Sequence, residues 1–505
     1  MAAPHEQEPL ATPQANEQPS VVSFETPTDA VKTWAPGVLL PTLNYFRYEE
    51  LLPEIYFASV DSGDWTMLSA TELHVLRTSA AMPDALRSRL VRAHLLLDET
   101  NIDEYCRRLA SRHFFLNEGP TLHILVVTRR CNLECIYCQA AEGRDRRGQM
   151  GVETAEKAID RALETPARSL IVEFQGGEPL LNFPAVRAAV LRAEERGRAL
   201  GKRVEFSLIT NFTEVVTEDI LRFLLGHKVS VCISLDGPRE IHDRNRNRAG
   251  CYDTLRANIR LYEGVWRELR SEAVVLRALL TTTRHSLAAV AEIVDTYVDC
   301  GIDHLAIRPV TPVGRGRGER CDLDYSGAEF LVFWHGVVAE VLRRRELGLD
   351  LRESHLELFL QKLFANETGH MDIRSPCGAA IGQIVYDTDG GIFTCDEGRM
   401  LDDDRFMIGN VASPLRDALA SPKTRAILES SIAEQYYCDY CACKPFCGVC
   451  PVLHYMDDGD LVGDPLRQRR CSVYGGMLRH ILRLFATDGN ARRTFAEIVE
   501  TSWDR

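Results

Sequence analysis

No stretch of the sequence reaches the ~18 uninterrupted apolar residues that a membrane-spanning helix needs, so no membrane association is expected. The opening MAAPHEQEPLATPQANEQPS lacks both a basic n-region and an apolar h-region. It does not read as a secretory signal, and a cytoplasmic location is expected. Basic residues are in short supply: 59 Lys and Arg stand against 73 Asp and Glu, a net charge of −14. Nucleic-acid binders neutralise phosphates with a basic surface, so this balance argues against such a partner. There is no HExxH, no nucleotide-binding P-loop and no GxSxG. Gly314-Arg-Gly-Arg-Gly318 imitates a dinucleotide fingerprint, but Glu319 stands where the third glycine belongs. It reads as a flexible basic loop. The 14 histidines show no ligand spacing.

What is present is an ordinary globular composition, 45% hydrophobic and 26% charged, with an unusual 16 cysteines. Thiols in a cytosolic chain stay reduced, so clustered cysteines are expected to be metal ligands or catalysts rather than disulfides. At 505 residues, about three domains are expected. Residues 1–35 are rich in Pro, Gln, Glu and Ala without apolar period and read as a disordered tail. Residues 36–119 read as a small α+β domain that carries no catalytic motif. From His123 six apolar, β-branched runs follow: LHILVV, SLIVEF, VEFSLIT, KVSVCISL, AVVLRALL and HLAIRPV. Helical periods lie between them. Such alternation means a parallel sheet with right-handed crossovers, covered by helices. Six units over 120–320 are too few for a closed eight-fold barrel, so a partial (β/α)6 parallel barrel is expected. Residues 321–376 read as a helical bridge. The chain over 377–475 is cysteine-dense and irregular, and 476–505 form a closing helix and tail.

Cys131, Cys135 and Cys138 stand as C-x3-C-x2-C directly after the first strand of that sheet. This puts them on a loop at the carboxyl end of the strands, where parallel α/β folds place their sites. Three thiolates on one tight loop suit three irons of a cubane and leave the fourth open. The competing reading is structural zinc, but zinc wants four ligands and no fourth Cys or His lies nearby in sequence.

The spacing, with Asn132 and Tyr137 around it, resembles the radical S-adenosylmethionine superfamily. Later loops agree in order. Gly176-Gly177-Glu178-Pro179 matches that family's GGEP segment, and glycines there let backbone approach closely. Asn211 follows the third strand, with Phe212 where many relatives carry Gly. Ser234-Leu-Asp-Gly-Pro238 leads to Arg246, and Arg308-Pro-Val310 follows the sixth strand. The resemblance implies that Tyr137, Gly176, Gly177, Glu178, Asn211, Ser234, Arg246 and Val310 surround S-adenosylmethionine. Arg246 is the expected partner of its carboxylate.

Downstream stand Cys377, Gly390-x4-Cys395, Cys438-x2-Cys441-x5-Cys447-x2-Cys450 and Cys471, with Cys443 extra. The pattern resembles the SPASM extension of peptide-modifying radical enzymes, although the last internal spacing there is commonly x3. The resemblance implies two auxiliary 4Fe-4S clusters beside the first, three in all. Cys438, Cys441, Cys447 and Cys471 would hold one, and Cys377, Cys395 and Cys450 the other, with Cys321 a candidate fourth ligand. A zinc knuckle is the alternative for these pairs. The whole layout is most similar to the B-type maturases of His-Xaa-Ser peptide systems. The implied activity is oxidative modification of a ribosomally made precursor peptide at an unactivated carbon. A 5′-deoxyadenosyl radical would act on the peptide, with electrons supplied by a flavodoxin or ferredoxin. Asp396, next to Cys395, is the candidate proton acceptor. The rivals are a sulfatase-type maturase forming formylglycine and a non-catalytic zinc or iron–sulfur scaffold.

Overall fold

The computed structural model describes residues 42–78, 82–141, 148–269, 276–311, 313–316, 323–366, 371, 373–401, 403–432 and 435–501. The expected tail over 1–35 and Cys321 lie outside these residues.

The first unit is the expected small α+β arrangement. β1 (Thr42–Leu43) pairs antiparallel with β5 (Leu96–Leu97). β2 (Arg47–Leu52), β3 (Ile55–Ser59) and β4 (Trp65–Ser69) form an antiparallel meander. Helices Ala70–Thr78, Asp84–Arg92 and Ile102–Arg112 complete it. One sheet end is fastened to the cysteine-rich region. Arg47 bonds Asp439, the Ser59 hydroxyl donates to the Ala442 carbonyl at 2.7 Å, and Glu49 pairs with Arg479 at 2.8 Å. Phe57, fully buried, lies 5.8 Å from the Trp65 ring and 6.2 Å from the Phe446 ring.

All six expected parallel strands are present. They are β6 (Leu122–Thr128), β7 (Ser169–Gly176), β8 (Arg203–Thr210), β9 (Val229–Ser234), β10 (Leu276–Thr282) and β11 (His304–Pro309). Each pairs parallel with its sequence neighbour. The open sheet then grows beyond expectation at both edges. β12 (Arg352–Glu353), between helices Gly327–Glu346 and Ser354–Leu360, joins β11 in parallel. The bridge expected to be purely helical therefore carries an edge strand. On the other side β13 (Gln383–Tyr386) joins β6 in parallel, and β14 (Gly391–Phe393) and β15 (Met407–Asn410) follow antiparallel. The cysteine-rich segment, expected to be irregular, thus extends the same ten-stranded sheet. Its signal was a hairpin pattern, Ile384-Val-Tyr, Asp-Thr-Asp-Gly-Gly, Ile392-Phe.

The strands also differ from the expectation of cover on both faces. Along β7, Leu170, Val172 and Phe174 are buried, while Ile171, Glu173 and Gln175 are not. β8 and β9 alternate the same way. One face packs on the helices Phe183–Leu200, Glu218–Gly226 and Cys251–Leu269, and the other lines a partly open interior. Among these six strands β6 alone is buried along nearly its whole length, because the C-terminal region covers its second face.

Phe57→Ala is expected to cost about 3–5 kcal/mol, as for other large buried aromatics. Hydrogen exchange should show that loss in β2–β4 and in the Phe446 turn while β7–β9 stay protected.

Candidate active site

The three-cysteine loop follows β6 and is held by its neighbours' backbone. Gly177 N–H donates to the Thr128 carbonyl at 2.8 Å, and Glu178 N–H donates to the Arg130 carbonyl at 2.8 Å. A Cβ on Gly176 would lie 2.1 Å from the Thr128 oxygen, and one on Gly177 would lie 2.2 Å from the Arg130 oxygen. Gly176 also has φ +150°. The glycine pair is thus required by the approach of two protein loops at the foot of the site.

The thiols stand among donors. Leu133 N–H is 3.4 Å from the Cys131 sulfur, Asn211 Nδ2 is 3.8 Å from the same sulfur, and an Arg246 nitrogen is 3.7 Å from that of Cys135. Burial pushes the Cys131 thiol up to about 12 and raises that of Cys135, with the neighbouring Arg246 opposing the second shift. Thiolates here need a compensating positive charge, which iron ligation supplies. Three soft donors on one loop, with N–H groups aimed at sulfur, fit an iron–sulfur cubane.

Glu178 is fully buried and accepts from Leu180 N–H at 3.0 Å, the Thr210 hydroxyl at 2.8 Å and Asn211 N–H at 2.8 Å. Burial raises its carboxyl to about 7 against these donors. It ties the β7 loop to the β8 loop. Asn211 donates to Asn132 Oδ1 at 2.8 Å, so these two asparagines join the β8 loop to the cysteine loop. Phe212, fully buried, adopts φ +56°, which explains the preference for Gly in similar sequences.

Arg246 was expected to meet the cofactor's carboxylate. Its guanidinium instead pairs with the fully buried Asp236 at 2.9 Å and lies 5.4 Å from the Tyr137 ring centroid. The Tyr137 hydroxyl donates to the same carboxylate at 2.9 Å. Asp236 lies within the quoted SLDGP segment, yet sequence reasoning gave it no role. Its burial beside an arginine was not visible from spacing. Ser234 is half-buried at the end of β9. Val310 is buried, and its N–H donates to the Tyr325 hydroxyl at 2.9 Å. Tyr325 in turn donates to the Thr282 carbonyl at 3.0 Å, a tie between β10 and β11 that sequence reasoning also missed.

The C-terminal cysteines gather in two groups. Cys377, Cys395 and Cys450 share one apolar cluster with Ile124 and Val126 of β6. Cys438, Cys441, Cys447 and Cys471 are mutual electrostatic neighbours. Cys443 is buried and donates to Cys441, which makes Cys441 the more acidic thiol of that pair. Its sulfur is 3.8 Å from Glu49 Oε1. Cys251 and Cys300 sit in the main core, and Cys106 is exposed. Among the described residues no three His, Cys, Asp or Glu are placed to hold one metal ion.

Asp396 is buried and accepts two bonds from Arg399, at 2.9 Å and 3.1 Å. It lies near Glu173, whose side chain is on the open face of β7 and whose carboxyl burial raises.

Residues 125–277 match the family model of the Radical SAM superfamily. The chain carries a radical SAM domain. That domain implies a 4Fe-4S cluster and S-adenosylmethionine, and the Cys131 loop lies inside it. Over 356 residues the chain is 23% identical to the cysteine-type anaerobic sulfatase-maturating enzyme of Clostridium perfringens, spanning 68% of this chain and 92% of that one. It is 23% identical over 218 residues to the radical SAM cyclopropyl synthase TigE of Paramaledivibacter caminithermalis, 40% of this chain and 42% of that one. In structure it is similar to anSMEcpe with bound AdoMet and Cp18Cys peptide, at TM-score 0.63 and 18% identity, covering 75% of this chain and 100% of that one. It is also similar to Streptococcus suis SuiB bound to precursor peptide SuiA, at TM-score 0.53 and 17% identity, covering 85% and 100%. At these identities the structural likeness speaks for the fold.

Gly177→Ala forces the β7 loop off the cysteine loop and is expected to lower the iron bound per chain. Gly226→Ala, with nothing within 4 Å of its added Cβ, should leave iron unchanged. Iron analysis of the two purified variants compares them directly.

Proposed function

We propose that this protein is a radical S-adenosylmethionine enzyme that oxidatively modifies a ribosomally made precursor peptide, in the manner of SPASM maturases. The observation that carries the reading is the pair of thiol groups flanking a radical SAM sheet, one buried and one half-buried, with a carboxylate, Asp396, beside the buried one. It is supported by the likeness to anSMEcpe and SuiB, each solved with a bound peptide. Three clusters follow from this reading, one on Cys131, Cys135 and Cys138 and two auxiliary. The assignment to the B-type maturases of His-Xaa-Ser systems belongs to the same proposal.

The bound cluster and S-adenosylmethionine supply a 5′-deoxyadenosyl radical, the chemistry that no side chain provides. The chain's own residues do the rest. Asn211, Leu133 N–H and Arg246 orient and polarise the thiolates. Asp236 holds Arg246 and Tyr137 in place. Glu173, Gln175 and Ser207, on the partly open faces of β7 and β8, form the polar wall against which a peptide lies. Asp396 takes the proton released when the substrate is oxidised, a role that fits its position beside a cluster ligand. The three-stranded sheet β2–β4 has β2 and β4 at its edges, where a leader peptide adds as a further strand. A flavodoxin or ferredoxin supplies the electron.

The second reading is a sulfatase-type maturase that forms formylglycine. It is favoured by the extent of the C. perfringens match, which spans 92% of that enzyme. Incubation with a sulfatase-derived peptide and with precursor peptides encoded nearby, followed by mass spectrometry, separates the two.

Replacing Cys131, Cys135 and Cys138 together by Ala is expected to remove about a third of the iron and all cleavage of S-adenosylmethionine, since one cluster of three is lost. Persisting cleavage in anaerobic assays would overturn the radical reading. Asp396→Asn should keep iron and cofactor cleavage but lower modified peptide by about 10²-fold or more, the size of a general-base effect. Undiminished product would leave Asp396 as the partner of Arg399 alone.

A further inference from the structure

Lys362 is 1% exposed and sits in the π-turn Gln361–Ala365 that continues helix Ser354–Leu360. Such turns inside helices often accompany functional sites. Its ammonium donates to the Ile373 carbonyl at 2.5 Å, and among the described residues no carboxylate pairs with it. The charged and titratable groups that face it are Arg112, Arg374 and the Cys447 thiol. A lone buried ammonium costs several kcal/mol unless a counter-charge is present. Burial, with Arg112 and Arg374 nearby, pulls this one down to about 7.

The local geometry runs to one place. Ile373 precedes Arg374, and the Arg374 carbonyl oxygen lies 2.1 Å from where a Cβ on Gly448 would stand. Gly448 follows Cys447. Lys362 therefore holds the irregular segment that packs directly on the Cys447 turn. Arg112, also buried, stands over the Phe446 ring at 5.7 Å, one residue before Cys447, and donates to Asn366 at 2.9 Å. Lys362 thus backs the Cys447 turn, and Arg470 acts on the same thiol, one of the Cys438, Cys441, Cys447 and Cys471 group.

We propose that Lys362 raises the reduction potential of the auxiliary cluster held by those four cysteines. This rests on the reading that the four thiols hold a 4Fe-4S cluster. Such a cluster carries net negative charge, and reduction from the 2+ to the 1+ core adds one electron and one further negative charge. A fixed cation in a low-dielectric interior stabilises the reduced form more than the oxidised one. The same negative charge is the partner that the buried ammonium lacks. Lys362 is a positioning and charge-setting residue, with no contact to substrate.

The test is a dithionite redox titration of the anaerobically reconstituted full chain, followed by electron paramagnetic resonance. The relevant signal is the one lost in Cys471→Ala. Lys362→Gln keeps a donor for the Ile373 carbonyl and removes the charge, whereas Lys362→Arg keeps the charge. The Gln variant should bind as much iron as wild type and weaken the reduced state at least tenfold, about 59 mV for a one-electron couple. The Arg variant should titrate as wild type does. An unchanged potential in the Gln variant, with the signal intact, overturns the proposal and leaves the cluster reading standing. If Lys362→Gln fails to accumulate, Lys362→Met is titrated instead, and a potential not lowered there overturns it equally. A wild-type protein with no signal sensitive to Cys471→Ala would remove the auxiliary cluster itself.

Discussion

The backbone contact between the cysteine loop and the Gly176-Gly177 turn governs the geometry of the site. Thr128 and Arg130 offer carbonyls that Gly177 and Glu178 take, and both approaches leave no room for a Cβ. Because β6 and β7 are neighbours in a parallel sheet, their loops emerge side by side at its carboxyl edge. The glycines let them touch. Everything else at the site hangs on that contact: Glu178 reaches the β8 loop, Asn211 reaches back to Asn132, and the thiols are presented at a fixed height above the sheet.

A second constraint is the buried pair Arg246–Asp236. A guanidinium and a carboxylate withdrawn from water cost energy unless each is fully engaged. Here Tyr137 and Thr281 N–H donate to the carboxylate, and the guanidinium also reaches the Cys135 sulfur. The pair therefore works through position: it holds the cysteine loop from the β9 side as the glycines hold it from the β7 side. Break either and the three thiols lose their common orientation.

The C-terminal region follows the same logic by extending the sheet. β13 lies on β6, so the thiols of Cys377, Cys395 and Cys450 pack against Ile124 and Val126. The other group, around Cys447, is enclosed by the N-terminal sheet through Glu49, Phe57 and Ser59, and by Lys362 from the bridge. Three parts of the chain that are remote in sequence meet at that group, which gives the N-terminal unit a structural reason to sit where it does.

Six parallel strands and the cysteine loop were legible in the sequence, because each depends on local spacing: apolar runs of strand length and C-x3-C-x2-C on one turn. The division of the C-terminal cysteines came from the SPASM resemblance alone, since the pair Cys447-x2-Cys450 is split between its two groups. The edge strand β12 was not legible, since two residues between helices carry no period. β13–β15 left a hairpin signal that the surrounding cysteines obscured. Covering on both faces was expected and found only for β6, because alternation in β7–β9 shows itself only when the open interior is seen. At the site, residue identities came from pattern, but partners did not. That Arg246 serves Asp236, that Val310 meets Tyr325 and that Lys362 backs Cys447 are long-range pairings. Such contacts are chosen by how the sheet and its flanking helices pack, and a pairing between residues tens to hundreds of positions apart leaves no spacing for a sequence to display.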